Sequence, residues 1–416
     1  MPLIPLLLRR PTFRNFWLGQ TISVFGDQIT LLAVPIVAVL VLHAEAEQMG
    51  LLTAVGLLPH LLFSLPAGVW LDRVHRRRRL MIFADLIRAA VLLTVPLAFM
   101  AGMLSLEQLF VVAFLVGSLA VIFDISWNTL FVSVAERDEY LAANSLFSGS
   151  RSLAQVAGPS IGGALIQFFS APIAILVDAI SYVGSALFLS RVNTPEPPVE
   201  PSTEPIRAQL VTGLSFIFRD PIMRPTILAA ATLNLFNFGF HALFILYVTT
   251  QLNVSPGLLG LALGAGAVGA VVGAITASTI GRRIGLGPAF VFGLVIFPAA
   301  LILVPLADAS QPLPLILGLL FTMEFVAGFG VMVLDINAGA IIPARTPDRI
   351  RSRVMGSFRF INYGIRPIGA LLGGLLGGMI GVRETLFVVT IASLAGVLWL
   401  FGTPVIRLRG TPEAAP

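Results

Sequence analysis

The chain has 416 residues, 57% of them hydrophobic and only 11% charged, with a net charge of +5. A water-soluble domain carries about 25% charged residues, so a soluble globule is excluded and a chain dissolved in lipid is expected. Cysteine is absent and every basic residue is arginine, which excludes disulfides, thiolate metal sites and any lysine-containing phosphate-binding loop.

Met1 to Leu8 is too short for the apolar region of a secretory signal and ends at Arg9-Arg10. The N-terminus is therefore expected to stay in the cytoplasm. Stretches apolar over about 20 residues, enough to span a bilayer, fall near 15–42, 48–71, 80–102, 107–134, 141–169, 171–190, 222–251, 256–280, 288–307, 312–342, 348–380 and 382–403. The expected fold is an all-α membrane protein of twelve transmembrane helices in two six-helix bundles, residues 1–190 and 222–403, with a cytoplasmic tail at 404–416. Between the bundles, 191–221 reads as a proline-rich extended linker, followed by a short amphipathic helix at the membrane surface. Its stripe is Ile206, Leu210, Leu214 and Ile217.

Arginine placement sets the expected orientation. Arg9, Arg10, Arg14, Arg76–Arg79, Arg137, Arg191, Arg282, Arg345, Arg353 and Arg407 share one side, and the opposite loops hold mostly acids and a single arginine, Arg383. Both termini are expected in the cytoplasm. The halves resemble each other at a shift of about 208–211 residues: Arg151 and Pro159 fall on Arg359 and Pro367, and Asp124-Ile falls on Asp335-Ile. Parallel six-helix repeats with a site near the midplane are a secondary-transporter architecture.

Ionisable groups inside the membrane cost about 3 kcal/mol or more each and default to functional candidates. Asp27 lies about 12 residues into the first segment, roughly 18 Å deep at 1.5 Å per residue. Asp124 and Glu324 are placed at similar depth. An unpartnered carboxyl there can take up and release a proton, so Asp27, then Asp124, then Glu324 are the candidate proton-coupling groups; the alternative is a structural acid bonded to Asn128, Asn337, Arg366 or backbone. Asp85, Arg88, Asp335, Arg353, Arg359 and Arg366 read as a charge network, with Asp178 as a structural acid. Arg366 suits either a counter-charge or a substrate-anion role. Trp127, Asn128, Asn234, Asn237, Phe238, His241 and Asn362 are candidate linings of a cavity for bulky amphipathic molecules. The four histidines, without cysteine partners, suggest no metal site.

Two motifs carry a family resemblance. Gly68-Val-Trp-Leu-Asp72-Arg73-Val-His75-Arg76-Arg77 resembles the loop signature of the major facilitator superfamily, with His75 where a glycine is usual. The resemblance implies a gate built from Gly68, Asp72, Arg73, Arg76 and Arg77. Arg151 with Gly158-Pro159-Ser-Ile-Gly162-Gly163 is similar to the superfamily's antiporter motif, in which glycines let helices touch and proline bends one. Further stretches, among them Asn15 to Gln20 and Gly213 to Pro221, resemble the branch of enterobactin-type siderophore exporters and macrolide efflux proteins. The resemblance implies a proton-coupled exporter of a bulky amphipathic drug or siderophore-like metabolite. It implies no enzyme activity, no cofactor beyond the proton gradient, no nucleic-acid partner and a monomer in the cell membrane. A proton-coupled uptake symporter, a lipid flippase and a non-transporting membrane sensor stay open at this point.

Overall fold

The computed structural model describes residues 6–72, 76–194 and 206–414, without the side chains of 6, 64–72 and 206. The described residues form helices and no strands. In chain order these are α1 (Pro11–Ile36), α2 (Ala46–Asp72), α3 (Arg77–Met100), α4 (Leu106–Val134), α5 (Tyr140–Phe168) and α6 (Ala171–Ser190). They are followed by α7 (Ile206–Arg219), α8 (Met223–Leu246), α9 (Pro256–Ile284), α10 (Leu286–Leu301), α11 (Leu303–Leu306), α12 (Leu313–Arg345), α13 (Arg351–Ile380) and α14 (Val382–Leu394).

Eleven spans among the described residues are long and apolar enough to cross a membrane, and α5 is not among them. At 29 residues α5 is long enough, about 43 Å at 1.5 Å per residue. Its N-terminal half fails on composition, because Asn144, Ser145, Ser148, Ser150, Arg151 and Ser152 crowd two turns. Large apolar side chains such as Leu31, Phe83, Val111 and Ile180, and Ile275, Leu375 and Ile391, lie exposed on the spans. A soluble surface would seldom carry so many, whereas hydrocarbon accepts them.

The chain divides into two compact units: residues 1–43 with 58–203, and residues 44–57 with 204–416. The division passes through α2. In the first unit α1 packs on α5 and α6, and α3 packs on α4 and α6. Its buried aromatic cluster joins Phe13, Phe16, Phe131 and Phe147 around Trp127. In the second, α12 packs on α9 and α10, and α8 on α13 and α14. The start of α2 belongs here because Gly50 meets Gly374 of α13 so closely that a Cβ on Gly50 would lie 2.6 Å from the Gly374 Cα. Small residues at a crossing allow this backbone approach.

The repeat is visible in the backbone. A π-turn at Val37–Val41 ends the first long helix of the first half, and one at Tyr247–Gln251 ends its counterpart. Each is followed by a non-glycine residue at positive φ, His43 at 52° and Asn253 at 53°, 210 positions apart. The residue before α6 is Ser170 at φ 125°, and the residue before α14 is Gly381 at φ 96°.

The stripe of α7 is anchored on protein at Ile217, with Leu210 and Leu214 half-buried and the Ile206 side chain outside the described residues. Ile217 is fully buried with Met223, Ile227, Ile342 and Val354, Gly213 abuts the backbone of Arg353, and Ser357 Oγ donates to the Leu210 carbonyl at 3.2 Å. The segment after the last span also folds back. Val405 is fully buried, and the Leu408 carbonyl accepts the Gly287 N–H at 3.0 Å.

Candidate functional site

In the first unit α6 carries a polar stripe at helical spacing, Asp178, Ser181, Tyr182 and Ser185, all buried. Opposite it α1 presents Gly26 and Asp27. Gly26 has no side chain because Ser181 and Asp178 fill the space a Cβ would occupy. The Tyr182 hydroxyl donates to Asp27 Oδ1 at 2.5 Å, and the Ser181 hydroxyl to Asp178 Oδ1 at 2.9 Å. Thr30 of α1 also lies within hydrogen-bonding range of the buried Asp178 carboxyl. A bond from hydroxyl to carboxylate is charge-assisted and short, so Tyr182 is the group that fixes Asp27.

From α3, Arg88 Nη2 bonds Asp85 Oδ1 at 2.6 Å, with both side chains almost inaccessible. The Arg88 guanidinium lies over the Tyr182 ring at 4.4 Å and the Phe123 ring at 4.6 Å, so two π faces share its charge. Asp124 on α4 and Arg151 on α5 are exposed side chains within electrostatic range of Asp27 and each other. Asn128 does not bind the Asp124 carboxyl; its amide donates to the Asp124 backbone carbonyl at 2.8 Å. The first unit thus sets four membrane-segment carboxyls, Asp27, Asp85, Asp124 and Asp178, against two guanidiniums, Arg88 and Arg151.

The glycines of α5 explain its position. A Cβ on Gly158 would lie 2.5 Å from the Gln28 Cβ, and one on Gly162 would lie 3.3 Å from the Ile29 Cα. Pro159 and Gly163 are buried beside them. Trp17 Nε1 and Thr21 Oγ1 of α1 both bond Ser150 Oγ of α5, at 3.0 and 3.1 Å. The motif therefore lays α5 along α1 at the turn that bears Asp27.

The second unit disperses its charges. On α13, Arg366 Nη2 donates to Asn362 Oδ1 at 2.8 Å, and its guanidinium lies over Tyr363 at 4.5 Å and Phe238 at 4.9 Å. His241 meets Phe238 with the rings tilted and centroids 5.9 Å apart, within electrostatic range of Arg366. Asp335 is exposed and within range of Arg366 without an ion pair, and Arg359 stands exposed with no ion pair among the described residues. Glu324 on α12 makes no ion pair or side-chain hydrogen bond among the described residues; Gly266 of α9 leaves it room, since a Cβ there would lie 2.6 Å from Glu324 Oε2. Asn234 bonds the Ala230 carbonyl at 2.9 Å, and Asn237 is buried with Oδ1 unpartnered among the described residues. Trp127, expected as cavity lining, sits in the aromatic cluster of the first unit.

Gly68 and Asp72 lie on α2, but their surroundings and residue 73 fall outside the described residues. Arg76 is exposed at the start of α3, and Arg77 is buried. Sequence reasoning passed over Tyr182, and treated Asp178 as structural; the signal was the α6 stripe 178, 181, 182, 185. It also missed Asp220, whose Oδ1 accepts the Ile222 and Met223 N–H groups at 2.9 Å while Oδ2 takes Arg345 Nε at 2.8 Å.

A family described as transmembrane secretion effector matches residues 2–412. The chain belongs to that family, within the major facilitator superfamily. Its members are transporters, not enzymes, and the chain is a multi-pass membrane protein. It is similar to the multidrug efflux pump Tap of Mycolicibacterium fortuitum, 27% identical over 90% of this chain and 92% of that protein. The uncharacterized MFS-type transporter YfiS of Bacillus subtilis (strain 168) is 25% identical, over 97% of each chain. Among solved structures, a bacterial homologue of the iron transporter ferroportin in an inward-facing state superposes with a TM-score of 0.73 at 19% identity, covering 95% of this chain and 99% of that one. A bacterial homologue of the lysosomal transporter Spinster gives 0.73 at 14%, covering 94% and 97%. These likenesses carry the fold.

Proposed function

We propose that this transporter exports bulky amphipathic molecules, drugs or siderophore-like metabolites, in exchange for protons by alternating access, with both termini in the cytoplasm. The carrying observation is the pool in the first unit, in which four carboxyls face two guanidiniums. Charge balance is reached when protons, or a cationic substrate, supply the missing positive charge, which gives the competition an antiporter needs. Asp27 is the exchanging group, because Tyr182 holds it in place and the accessible Asp124 shares its field. Likeness to proteins named multidrug efflux pumps supports the outward direction. Arg366, flanked by aromatic rings, serves as counter-charge or as contact for an anionic group on the cargo, and the motif from Gly68 to Arg77 serves as the cytoplasmic gate.

The test is vesicle transport with proton-flux recording, comparing wild type with Asp27→Asn and Asp124→Asn. Substrate-dependent proton release lost in Asp27→Asn supports the reading. Unchanged export and unchanged pH dependence in both variants would overturn it, and substrate uptake with co-directional protons would replace export by symport.

A further inference from the structure

Away from the membrane-embedded charges, the second unit holds an open groove of about 670 Å³ between α7 and the turn joining α12 to α13. Arg219, Arg345 and Arg349 line it, with Ser215 and a single acid, Asp220. Asp220 is spent on Arg345 and on capping α8, and Arg345 Nη1 also donates to the Glu413 carbonyl at 3.0 Å. Arg219 and Arg349 are exposed and make no ion pair among the described residues. The lining thus holds a surplus of two positive charges and, in Ser215, a hydroxyl.

Position narrows the ligand. The groove lies where α8 begins its span at Met223 and where α12 ends its span at Arg345, at the depth of lipid headgroups rather than of hydrocarbon. On α7 two large apolar side chains are exposed, Val211 at 58% and Phe218 at 46%. Val211 lines the groove. An aqueous anion site has no use for them, whereas a ligand with a phosphate and acyl chains does. We propose that this groove binds the phosphate headgroup of an anionic glycerophospholipid, through Arg219, Arg349 and Ser215, with Arg345 held in place by Asp220. The bound lipid pins α7, and with it the chain leaving the proline-rich linker, to the second unit.

The inference is independent of proton coupling and of cargo. The test uses the full-length protein, purified and delipidated in detergent, titrated with phosphatidylglycerol or phosphatidylcholine of matched chains, with thermal stability and lipid retention in native mass spectrometry as readouts. Phosphatidylglycerol should raise the melting temperature where phosphatidylcholine does not. Its affinity should fall about fivefold in Arg219→Gln or Arg349→Gln and about thirtyfold in the double variant, with most restored by Arg219→Lys/Arg349→Lys. Arg282→Gln/Arg283→Gln, which removes two exposed arginines from the end of α9, should leave it unchanged. Equal stabilisation by phosphatidylcholine, equal stabilisation by glycerol phosphate without acyl chains, or an equal loss in the α9 control would each overturn the proposal.

Discussion

The two units contain similar helices and treat charge in opposite ways. The first pools it: Asp27, Asp85, Asp178, Tyr182 and Arg88 converge between α1, α3 and α6, so altering one member disturbs the others. The second scatters it: Arg366 is flanked by two rings and Asn362, while Glu324 sits alone beside Gly266. The repeated backbone, down to paired π-turns and paired positive-φ residues, therefore does not dictate how each half arranges its charges. The same contrast recurs at the helix ends. In the first unit Arg10 precedes α1 and bonds Glu139 after α4 at 2.6 Å; in the second Asp220 precedes α8 and bonds Arg345 at the end of α12 at 2.8 Å. The signs are exchanged, and the second pair is the more buried, at 4% and 18% side-chain exposure against 27% and 43%.

The largest expected effect concerns the pooled charge. Asp27→Asn should abolish gradient-driven accumulation, whereas Glu324→Gln in the dispersed unit should leave most of it, as measured in energised vesicles; the reverse ranking would move the exchanging group to the second unit. Next, Asp220→Ala should destabilise the protein by about 3–5 kcal/mol, because it strands a largely buried guanidinium and uncaps α8, while Arg10→Ala should cost less than about 1 kcal/mol, since exposed pairs are screened. Denaturant or thermal unfolding in detergent compares the two. Tyr182→Phe removes one charge-assisted bond, about 1.5–3 kcal/mol, and should lower transport roughly tenfold with folding retained.

Smaller effects probe the repeat and its loops. Ser170 adopts a conformation that favours glycine, so Ser170→Gly should stabilise by about 1 kcal/mol and Gly381→Ser should destabilise by about 1–3 kcal/mol; equal effects of one sign would refute the pairing. Finally, Asp308, in the loop before α12, is held below its ordinary pKa by the Ser310 backbone N–H at 2.9 Å, the Ser310 hydroxyl at 2.7 Å and Arg383 Nη1 at 2.7 Å. A depressed carboxyl stabilises the fold above its unfolded-state pKa and loses that contribution as pH falls through its folded value. Melting curves of wild type and Asp308→Asn should accordingly differ slightly at neutral pH and converge in acid.

The helices were legible because lipid as solvent leaves only one reading for long apolar runs, and arginines cluster in the loops of one side only. Within a helix, spacing sufficed: Asp85 and Arg88 are three apart and do pair. Contacts across helices were less accessible. Tyr182 lies 155 residues from Asp27 and Asp220 125 from Arg345, and no local pattern joins them. Of the expected charge network, Asp335 lies within electrostatic range of Arg366 on another helix, which no spacing rule reveals.

One consequence concerns how the protein is made. With so polar a first half, α5 is expected to partition poorly from the translocation channel into lipid unaided, and contact with α1, made earlier in the chain, is expected to assist that step. Gly158 and Gly162, together with Ser150 beneath Trp17 and Thr21, are the docking surface for that step. Substituting Gly158 by a bulkier residue should therefore appear first as misinserted, proteolysed chains in the cell, before any purified protein exists in which to measure transport.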